Sequence, residues 1–479
     1  MSAPSAAFQH AAHMASADAP QQDVVRTSIA TYDRAAATGR QRFRDWQAAR
    51  ARAQAIKAEA VGSLDRLLLQ FEAGVTARGG HVFWAEDDQA ARDYILAIAR
   101  RRGARRVIKS KSMVSEEIHL ATALEAAGME TVETDLGEYI VQLRNEPPYH
   151  IVTPAMHLRR TQIAALFREK LGTPPEADSA EELAGAARRT LREKFLHADI
   201  GITGANFLIA DAGLVAITEN EGNARLTASL PPVHVVLTGL EKLLPRLADL
   251  ALFWPMLATA GTGQPITCYS SLIGGPRQPG EVDGPEEFHV VLLDNGRTGV
   301  LADAEKRDTL NCIRCGACLN VCPVFHTIGG HAYGTIYSGP IGAVLTPLLR
   351  GQRAFGHLSF ASSLCGACTD VCPVRIDLHH HLIQNRRDMN QQRLRPAPER
   401  WGMRAFRWVV SDRRRYERAG RCARWLLRRR NWVAEGSPMD ALRPWTATRS
   451  LPPAPAQSFR DWWRQERSVS TSRRPSARG

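Results

Sequence analysis

The stretch Cys312-Ile-Arg-Cys315-Gly-Ala-Cys318-Leu-Asn-Val-Cys322-Pro323 decides how this chain is interpreted. Its cysteines are separated by two, two and three residues, and a proline follows the last one. Three thiolates at this spacing can converge on three iron corners from one tight loop. The fourth thiolate lies on the following helix and points towards a second cluster. The stretch therefore predicts an iron–sulfur site.

A second stretch, Cys365-Gly-Ala-Cys368-Thr-Asp-Val-Cys372-Pro373, repeats the later part of the first. The pair resembles the motifs of two-cluster bacterial ferredoxins, in which the two motifs exchange their last cysteine. This exchange predicts two [4Fe-4S] clusters. The first would be held by four cysteines, Cys312, Cys315, Cys318 and Cys372. The second would be held by three, Cys322, Cys365 and Cys368.

The second site lacks a cysteine at one iron corner, because Ser362 stands where the first cysteine of the motif would fall. Either the site holds a [3Fe-4S] cluster, or the fourth iron is bound by Ser362, water, a substrate or a residue of a partner. Zinc is the competing interpretation of the thiolates. Zinc knuckles do not repeat this spacing with a proline after each last cysteine, so iron is favoured.

The distribution of the nine cysteines also favours a metal site over a disulfide framework, because seven of them fall between Cys312 and Cys372. The other two, Cys268 and Cys422, are isolated. Between Cys322 and Cys365 lie 42 residues, including a helical-looking piece at 341–349. This separation predicts a helical two-cluster domain and not the small β-hairpin type.

An α/β domain is predicted before the cysteines. Strand-like segments at 81–85, 105–109 and 131–134 alternate with helical ones, which is typical of a parallel sheet with covering helices. Residues 206–210 and 214–218 flank Asp-Ala-Gly and predict a hairpin. The predicted organisation is a disordered N-terminus (1–22), N-terminal helices (23–78), the α/β domain (79–300), the helical ferredoxin-type domain (301–380), a basic helical domain (381–450) and a flexible tail (451–479).

The net charge of +13 comes from the C-terminal fifth, where residues 381–479 contain 24 Arg, no Lys and 8 acidic residues. Such a segment either binds an acidic partner, anionic lipid or nucleic acid, or is a solvated helical surface. The solvated surface is favoured, because no nucleic-acid-binding motif accompanies it. No signal peptide and no membrane-spanning run is recognised, which predicts a cytoplasmic protein.

Two polar segments of the α/β domain are candidate ligand sites. Lys109 and Lys111 lie at a strand end just before a helix, where a carboxylate or phosphate would be bound. A solvated loop explains them equally well. Glu219 lies in a polar turn after an apolar strand, which predicts either an active-site wall or a simple turn.

Most of the chain, from about residue 40 to about residue 432, resembles the lactate-utilisation protein B family. The resemblance is carried by VIKSKSM (107–113), ETDLGEYIVQL (133–143), ITGANFLIADAG (202–213), TENEGN (218–223), FHVVLLDNGRTG (288–299), GGHAYG (329–334), GPIGAVLTPLL (339–349) and both cysteine motifs. Ser362 belongs to the family pattern.

The resemblance implies an iron–sulfur electron-transfer subunit of a bacterial system that oxidises L-lactate to pyruvate. Its partners would be a cysteine-rich protein and a smaller protein with the same α/β domain, and the electron acceptor is left open. The α/β fold would be similar to that of sugar-phosphate isomerases and CoA transferases. If this subunit binds lactate, Lys109, Lys111 and Glu219 are the candidates. Two alternatives are a CoA-transferase-like or isomerase-like enzyme with Glu219 as nucleophile, and a redox sensor that binds nucleic acid through its Arg-rich tail.

Overall fold

The computed structural model describes residues 3–429, 437, 440, 442–446, 449–451 and 453–472. The chain divides into two compact units, residues 1–394 and 395–479. Among the described residues, no helix is both long and apolar enough to cross a membrane.

All strands of the described residues lie in the first unit. They are β1 (His81–Ala85), β2 (Arg106–Lys109), β3 (Glu130–Glu133), β4 (Ile200–Thr203), β5 (Phe207–Ile209), β6 (Leu214–Glu219), β7 (Val233–Gly239), β8 (Leu243–Leu244), β9 (Tyr269–Ile273) and β10 (Glu287–Leu293). The helices of the first unit are α1 (Ala3–Ala17), α2 (Ala19–Arg40), α3 (Trp46–Gly62), α4 (Leu64–Thr76), α5 (Asp88–Arg101), α6 (Met113–Glu117), α7 (Leu120–Ala126), α8 (Leu136–Arg144), α9 (Arg160–Leu171), α10 (Ala180–Leu196), α11 (Asn223–Ser229), α12 (Leu250–Thr262), α13 (Arg297–Ala302), α14 (Ala317–Asn320), α15 (Pro323–Ile328), α16 (Gly339–Arg350), α17 (Gln352–Phe355), α18 (Ala367–Val371) and α19 (Leu378–Gln391).

A six-stranded sheet in the order β1-β10-β7-β4-β2-β3 forms the centre of the α/β domain, and every neighbouring pair is parallel. Both faces of this sheet are covered. Val235 packs on one face with residues of α5 and α7, while Val236 packs on the other face with residues of α4. Burial on both sides explains why β7 is a continuous, largely β-branched run. The predicted parallel sheet is confirmed.

A smaller sheet in the order β8-β5-β6-β9 packs beside the first. Within it, β5 and β6 pair antiparallel, with Leu208 opposite Val215, so the predicted hairpin is confirmed. The sequence did not predict β9, which pairs with β6 in antiparallel register.

The cysteine motifs lie in a helical region. Residues 301–394 are all described and contain helices, turns and loops but no strand. Helix α16 packs against α19. The predicted boundary at residue 380 therefore falls inside α19, and the compact first unit continues to residue 394.

The amino-terminal region differs from its prediction. Disorder is predicted for residues 1–22, but residues 3–17 form α1, and α2 begins at Ala19 after the capping residue Asp18. The alanine-rich composition that suggests disorder also has high helix propensity. Phe8 of α1 packs against Tyr333 and His357, with ring centroids 6.1 and 5.4 Å away.

The second unit contains helices α20 (Ala397–Val410), α21 (Arg413–Arg429), α22 (Arg443–Thr446) and α23 (Phe459–Ser472). Glu417 of α21 pairs with Arg464 of α23 at 2.9 Å. The tail predicted to be flexible (451–479) thus includes a helix, while residues 452 and 473–479 lie outside the described residues.

Candidate iron–sulfur centre and the adjoining cavity

The loops that begin the two cysteine motifs have the same backbone conformation. Arg314 and Leu364, each just before a cysteine, are left-handed, with φ of 60° and 55°. The glycines after those cysteines, Gly316 and Gly366, have φ of 78° and 84°. Glycine adopts this region without the strain that a Cβ would cause. The two motifs are therefore a structural repeat as well as a sequence repeat.

The repeat places Ser362 where the first motif has Cys312. The backbone N–H of Arg314 donates to Sγ of Cys312 at 3.4 Å. In the second motif the N–H of Leu364 donates to Oγ of Ser362 at 3.1 Å. The hydroxyl of Ser362 thus lies at the position in its loop that the thiol of Cys312 occupies in the other.

Four cysteines line one small cavity. Three come from the first motif, Cys312, Cys315 and Cys318, and the fourth, Cys372, comes from the second motif. The remaining wall is largely apolar and includes Ile151, Ile313, Ile341, Val374, Ile376 and Leu378. The fold therefore brings together the four thiols that the exchange of last cysteines predicts for one cluster.

This cavity has the chemistry that an iron–sulfur cluster requires. Burial, and then the neighbouring Cys312, raise the pKa of the Cys372 thiol to about 11, and burial raises the pKa of Cys315 and Cys318 as well. A bound metal supplies the positive charge that allows buried thiols to become thiolates. Four sulfur donors in an apolar enclosure fit such a group.

The other three cysteines form a second group. Burial, and then the neighbouring thiol of Cys322, raise the pKa of Cys368 to about 12. Cys365 also acts on the pKa of both. Cys322 and Cys368 are buried, whereas Cys365 is exposed. Hydrogen bonds from the backbone of Ala367 lower the pKa of Cys365, so its thiolate forms more readily.

Tyr333 lies beside both cysteine groups with its hydroxyl unsatisfied. The side chain is 2% exposed, and its Oη has no hydrogen-bond partner among the described residues. Burial, and then Cys322 and Cys318, raise its pKa. A buried hydroxyl without a partner is costly. The sulfur atoms of a cluster would provide the acceptor that the protein itself does not.

A larger cavity of about 380 Å³ adjoins the first cysteine group, and Ile151, Arg314 and Cys315 line both spaces. Its floor includes Ser110 after β2 and Gly204 after β4, so it opens at the carboxyl ends of the parallel strands. Open parallel sheets bind ligands at this edge.

The three candidate residues of the α/β domain are placed differently. Lys111 and Glu219 line the large cavity, and Lys109 does not. Lys109 is 1% exposed and pairs with Glu116 at 2.8 Å and with Glu133 at 2.5 Å. These two ion pairs explain the burial of Lys109, so its role is structural.

Both carboxylate oxygens of Glu219 accept backbone N–H groups at the start of α11, from Ala224 at 2.7 Å and Arg225 at 2.8 Å. This capping leaves the nucleophile role of the CoA-transferase alternative without support.

The ammonium of Lys111 donates to the carbonyl oxygen of Val152.

Two cavity residues were missed by the sequence interpretation. Lys242 follows β7 and lies in the cavity wall together with Arg314, although 72 positions separate them in the chain. Arg314 Nη2 pairs with Glu241 Oε1 at 3.1 Å. Burial alone would raise the pKa of Glu241, but Arg297 and Arg314 lower it to about 2, so this carboxylate is charged. No local sequence pattern indicates a contact between elements so far apart.

Three family profiles match consecutive parts of the chain. The LUD domain matches residues 68–293, the 4Fe-4S dicluster domain residues 308–376, and the C-terminal region of lactate utilisation protein B residues 379–468. The cysteine region is therefore a 4Fe-4S domain. A solved DUF162-family structure from Deinococcus radiodurans shares 15% identity over 48% of this chain and 98% of its own, with a TM-score of 0.27, too low for an argument about the fold.

Similar proteins cover nearly the whole length. Lactate utilization protein B of Geobacillus sp. (strain WCH70) is 43% identical over 88% of this chain and 89% of its own. The protein of the same name from Bacillus cereus (strain AH820) is 42% identical over the same shares. The "uncharacterized electron transport protein YkgF" of Escherichia coli (strain K12) is 42% identical over 93% and 94%. With this identity and coverage, the chain belongs to the lactate-utilisation protein B family.

Proposed function

We propose that this chain is the iron–sulfur electron-transfer subunit of a multi-subunit system that oxidises L-lactate to pyruvate and so allows growth on lactate. The names of the relatives, lactate utilization protein B and electron transport protein, support this proposal. The observation that carries it is the position of Cys372, which lies with three cysteines of the other motif, so that both cysteine groups belong to one helical domain.

The proposed ligand sets are those predicted from the motifs. Cys312, Cys315, Cys318 and Cys372 would hold the first [4Fe-4S] cluster, and the second would be held by Cys322, Cys365 and Cys368. Of the alternatives for the open corner, the equivalence of Ser362 and Cys312 favours Ser362 Oγ over a [3Fe-4S] cluster, water, substrate or a partner residue.

Oxidation of L-lactate to pyruvate releases two electrons and two protons. Bound clusters accept electrons one at a time, so two of them take up the pair. The protein excludes water from the first site with apolar side chains. It also places the Arg50 side chain, which is 7% exposed, against the segment that carries Cys372.

Two partners are proposed on the strength of the family resemblance. One is a second cysteine-rich protein, and the other is a smaller protein with the same α/β domain. The similarity of the α/β fold to sugar-phosphate isomerases and CoA transferases stays a prediction of the same kind.

Anaerobic reduction by L-lactate tests the proposal. The purified, cluster-loaded protein is mixed with L-lactate alone and with both partners, and the clusters are followed by EPR and by bleaching of the visible absorbance. We expect reduction when the partners are present. If dithionite reduces the clusters but L-lactate does so under neither condition, the proposed function is wrong.

A further inference from the structure

Two cationic side chains in the wall between the large cavity and the first cysteine group have donors without a partner. Lys242 is 7% exposed, and its Nζ forms no hydrogen bond or ion pair with any described residue. Nη1 of Arg314 is buried and also unsatisfied. An ammonium largely withdrawn from bulk water is stabilised by a counter-charge. Because Lys242 lines the large cavity, an anion bound there would supply this charge.

The carboxylate of Glu241, the residue before Lys242, already has cationic partners. Glu241 accepts from Nη2 of Arg314 at 3.1 Å with one oxygen and from Nε of Arg297 at 2.6 Å with the other. Glu241 therefore neutralises part of the charge of Arg314 but forms no hydrogen bond or ion pair with the ammonium of Lys242.

The remaining acidic residues of the cavity serve as helix caps or turn acceptors. Oδ1 of Asp135 accepts the N–H of Glu138 at 3.1 Å, and Oε2 of Glu221 accepts the N–H of Leu136 at 3.0 Å. Glu219 caps α11, as described above. None of the three pairs with Lys242, so its ammonium is available to an anionic ligand in the cavity.

The cavity is also suited to a ligand with more than one polar group. Asn206, Thr218 and Gln264 supply amide and hydroxyl groups to its lining, and Met113, Ile217 and Leu257 supply apolar surface. A volume of about 380 Å³ is within the usual range for small-molecule sites.

We propose that this cavity binds a small 2-hydroxy or 2-oxo monocarboxylate, whose carboxylate pairs with Nζ of Lys242 in the wall that also contains Arg314 and Cys315. The inference rests on the proposed function, because L-lactate and pyruvate belong to this class. It adds that the organic acid binds in this subunit, next to the first cluster, and not only in a partner.

The competing explanation is that the cations serve the cluster alone, since a cluster with four thiolates is itself anionic. This explanation predicts that replacing Lys242 changes the reduction potential of the cluster, although the cavity binds no organic acid. The two explanations therefore differ in a measurable way.

Binding of oxamate tests the inference, because oxamate has the shape of pyruvate but is not oxidised. Its affinity for the anaerobic, cluster-loaded protein is measured by calorimetry for the parent chain, Lys242→Met and Lys242→Arg. The control is Lys170→Met, which removes an exposed lysine of α9. We expect Lys242→Met to weaken binding roughly 10- to 100-fold, the usual loss for a charged hydrogen bond. Lys242→Arg should restore most of it, and Lys170→Met should have no effect.

Several results would overturn the inference. They are no binding by the parent chain, unchanged affinity in a Lys242→Met protein with full iron content, or a shifted reduction potential with unchanged affinity. Tighter binding of inorganic phosphate than of oxamate would reject the carboxylate assignment. Each result leaves the proposed function testable, because reduction by L-lactate in the presence of the partners is a separate measurement.

Discussion

Nε of Arg50 donates a hydrogen bond of 2.9 Å to the carbonyl oxygen of Cys372, across 322 positions of the chain. Nη2 of the same guanidinium reaches the carbonyl oxygen of Thr369 at 3.3 Å. A residue of helix α3 therefore fixes the end of the second cysteine motif and places a buried positive charge beside the first cluster site.

Replacing Arg50 should lower the reduction potential of the first cluster. Reduction adds a negative charge, which the guanidinium stabilises, so Arg50→Met should shift the potential downwards by on the order of tens of millivolts. The measurement is a redox titration followed by EPR. Arg52→Met, at an exposed position of the same helix, is the control and should leave the potential unchanged.

Removing single cysteines should reveal the exchange between the motifs. Cys372→Ala should lose the same EPR signal as Cys315→Ala, and Cys322→Ala the same signal as Cys365→Ala, each with about half of the iron. Cys268→Ala removes an exposed cysteine outside both motifs and should keep all of the iron. If Cys372→Ala instead matched Cys365→Ala, the ligand assignment would be wrong.

The hydroxyl of Tyr333 should donate a hydrogen bond to cluster sulfur. Tyr333→Phe removes only this donor, so we expect a lower reduction potential of at least one cluster with unchanged iron content, because hydrogen bonds to the sulfurs stabilise the reduced state. Tyr94→Phe, in the α/β domain, removes a hydroxyl that pairs with His289 at 2.9 Å and serves as the control. Equal potentials in parent and Tyr333→Phe would refute this role.

Lys109 should be essential for stability and not for ligand binding. Lys109→Met leaves Glu133 buried without its counter-charge, and breaking a buried pair in this way costs about 3–5 kcal/mol. Urea denaturation would measure the loss, and the double variant Lys109→Met with Glu133→Gln should recover part of it. A fully stable single variant that fails to bind oxamate would contradict this prediction.

His234 should make the α/β domain less stable in mild acid. Nε2 of His234 lies 2.9 Å from Oγ1 of Thr203, and burial, followed by the nearby His289, lowers the pKa of His234 from 6.5 to about 3. In the unfolded chain the ring takes up a proton below about pH 6.5, whereas the folded state does not. The contribution to stability is therefore complete above pH 6.5 and is lost at about 1.4 kcal/mol per pH unit as the pH falls from there towards 3.

The His234→Gln variant isolates this effect. Between about pH 7 and about pH 5.5, the free energy of unfolding should fall by roughly 1.4 kcal/mol more in the parent than in the variant, since the variant has no such ring to protonate. Urea denaturation at both pH values provides the comparison. Parallel losses in the two proteins would show that His234 does not control the acid response.

Short sequence patterns were sufficient to predict the elements that are determined by residues close together in the chain. The cysteine spacing predicts the two loops, and the largely β-branched run of β7 is typical of a strand covered on both faces. The Asp-Ala-Gly turn predicts the β5–β6 hairpin. Each signal lies within about ten residues of the feature that it specifies.

The features that the sequence did not predict depend on tertiary contacts. Lys109 has the sequence environment of an anion site, and only the folded chain shows that Glu116 and Glu133 surround its ammonium. Nothing in the sequence around Lys242 indicates a ligand site. Only the folded chain shows that Lys242 lines the large cavity and forms no ion pair there. In the sequence, the residues of α1 resemble a disordered tail. In the folded chain, Phe8 of this helix packs against Tyr333.

The contact between Phe8 and Tyr333 also limits how this architecture can be cut and recombined. The cysteine motifs occupy a short continuous segment, which suggests a portable module. Part of the wall around that segment, however, comes from helix α1, more than 300 positions earlier in the chain. A gene rearrangement that moved residues 301–394 alone would transfer the cysteines and leave part of their enclosure behind. A recombined protein would therefore need the amino-terminal helices as well as the cysteine region to keep this enclosure complete.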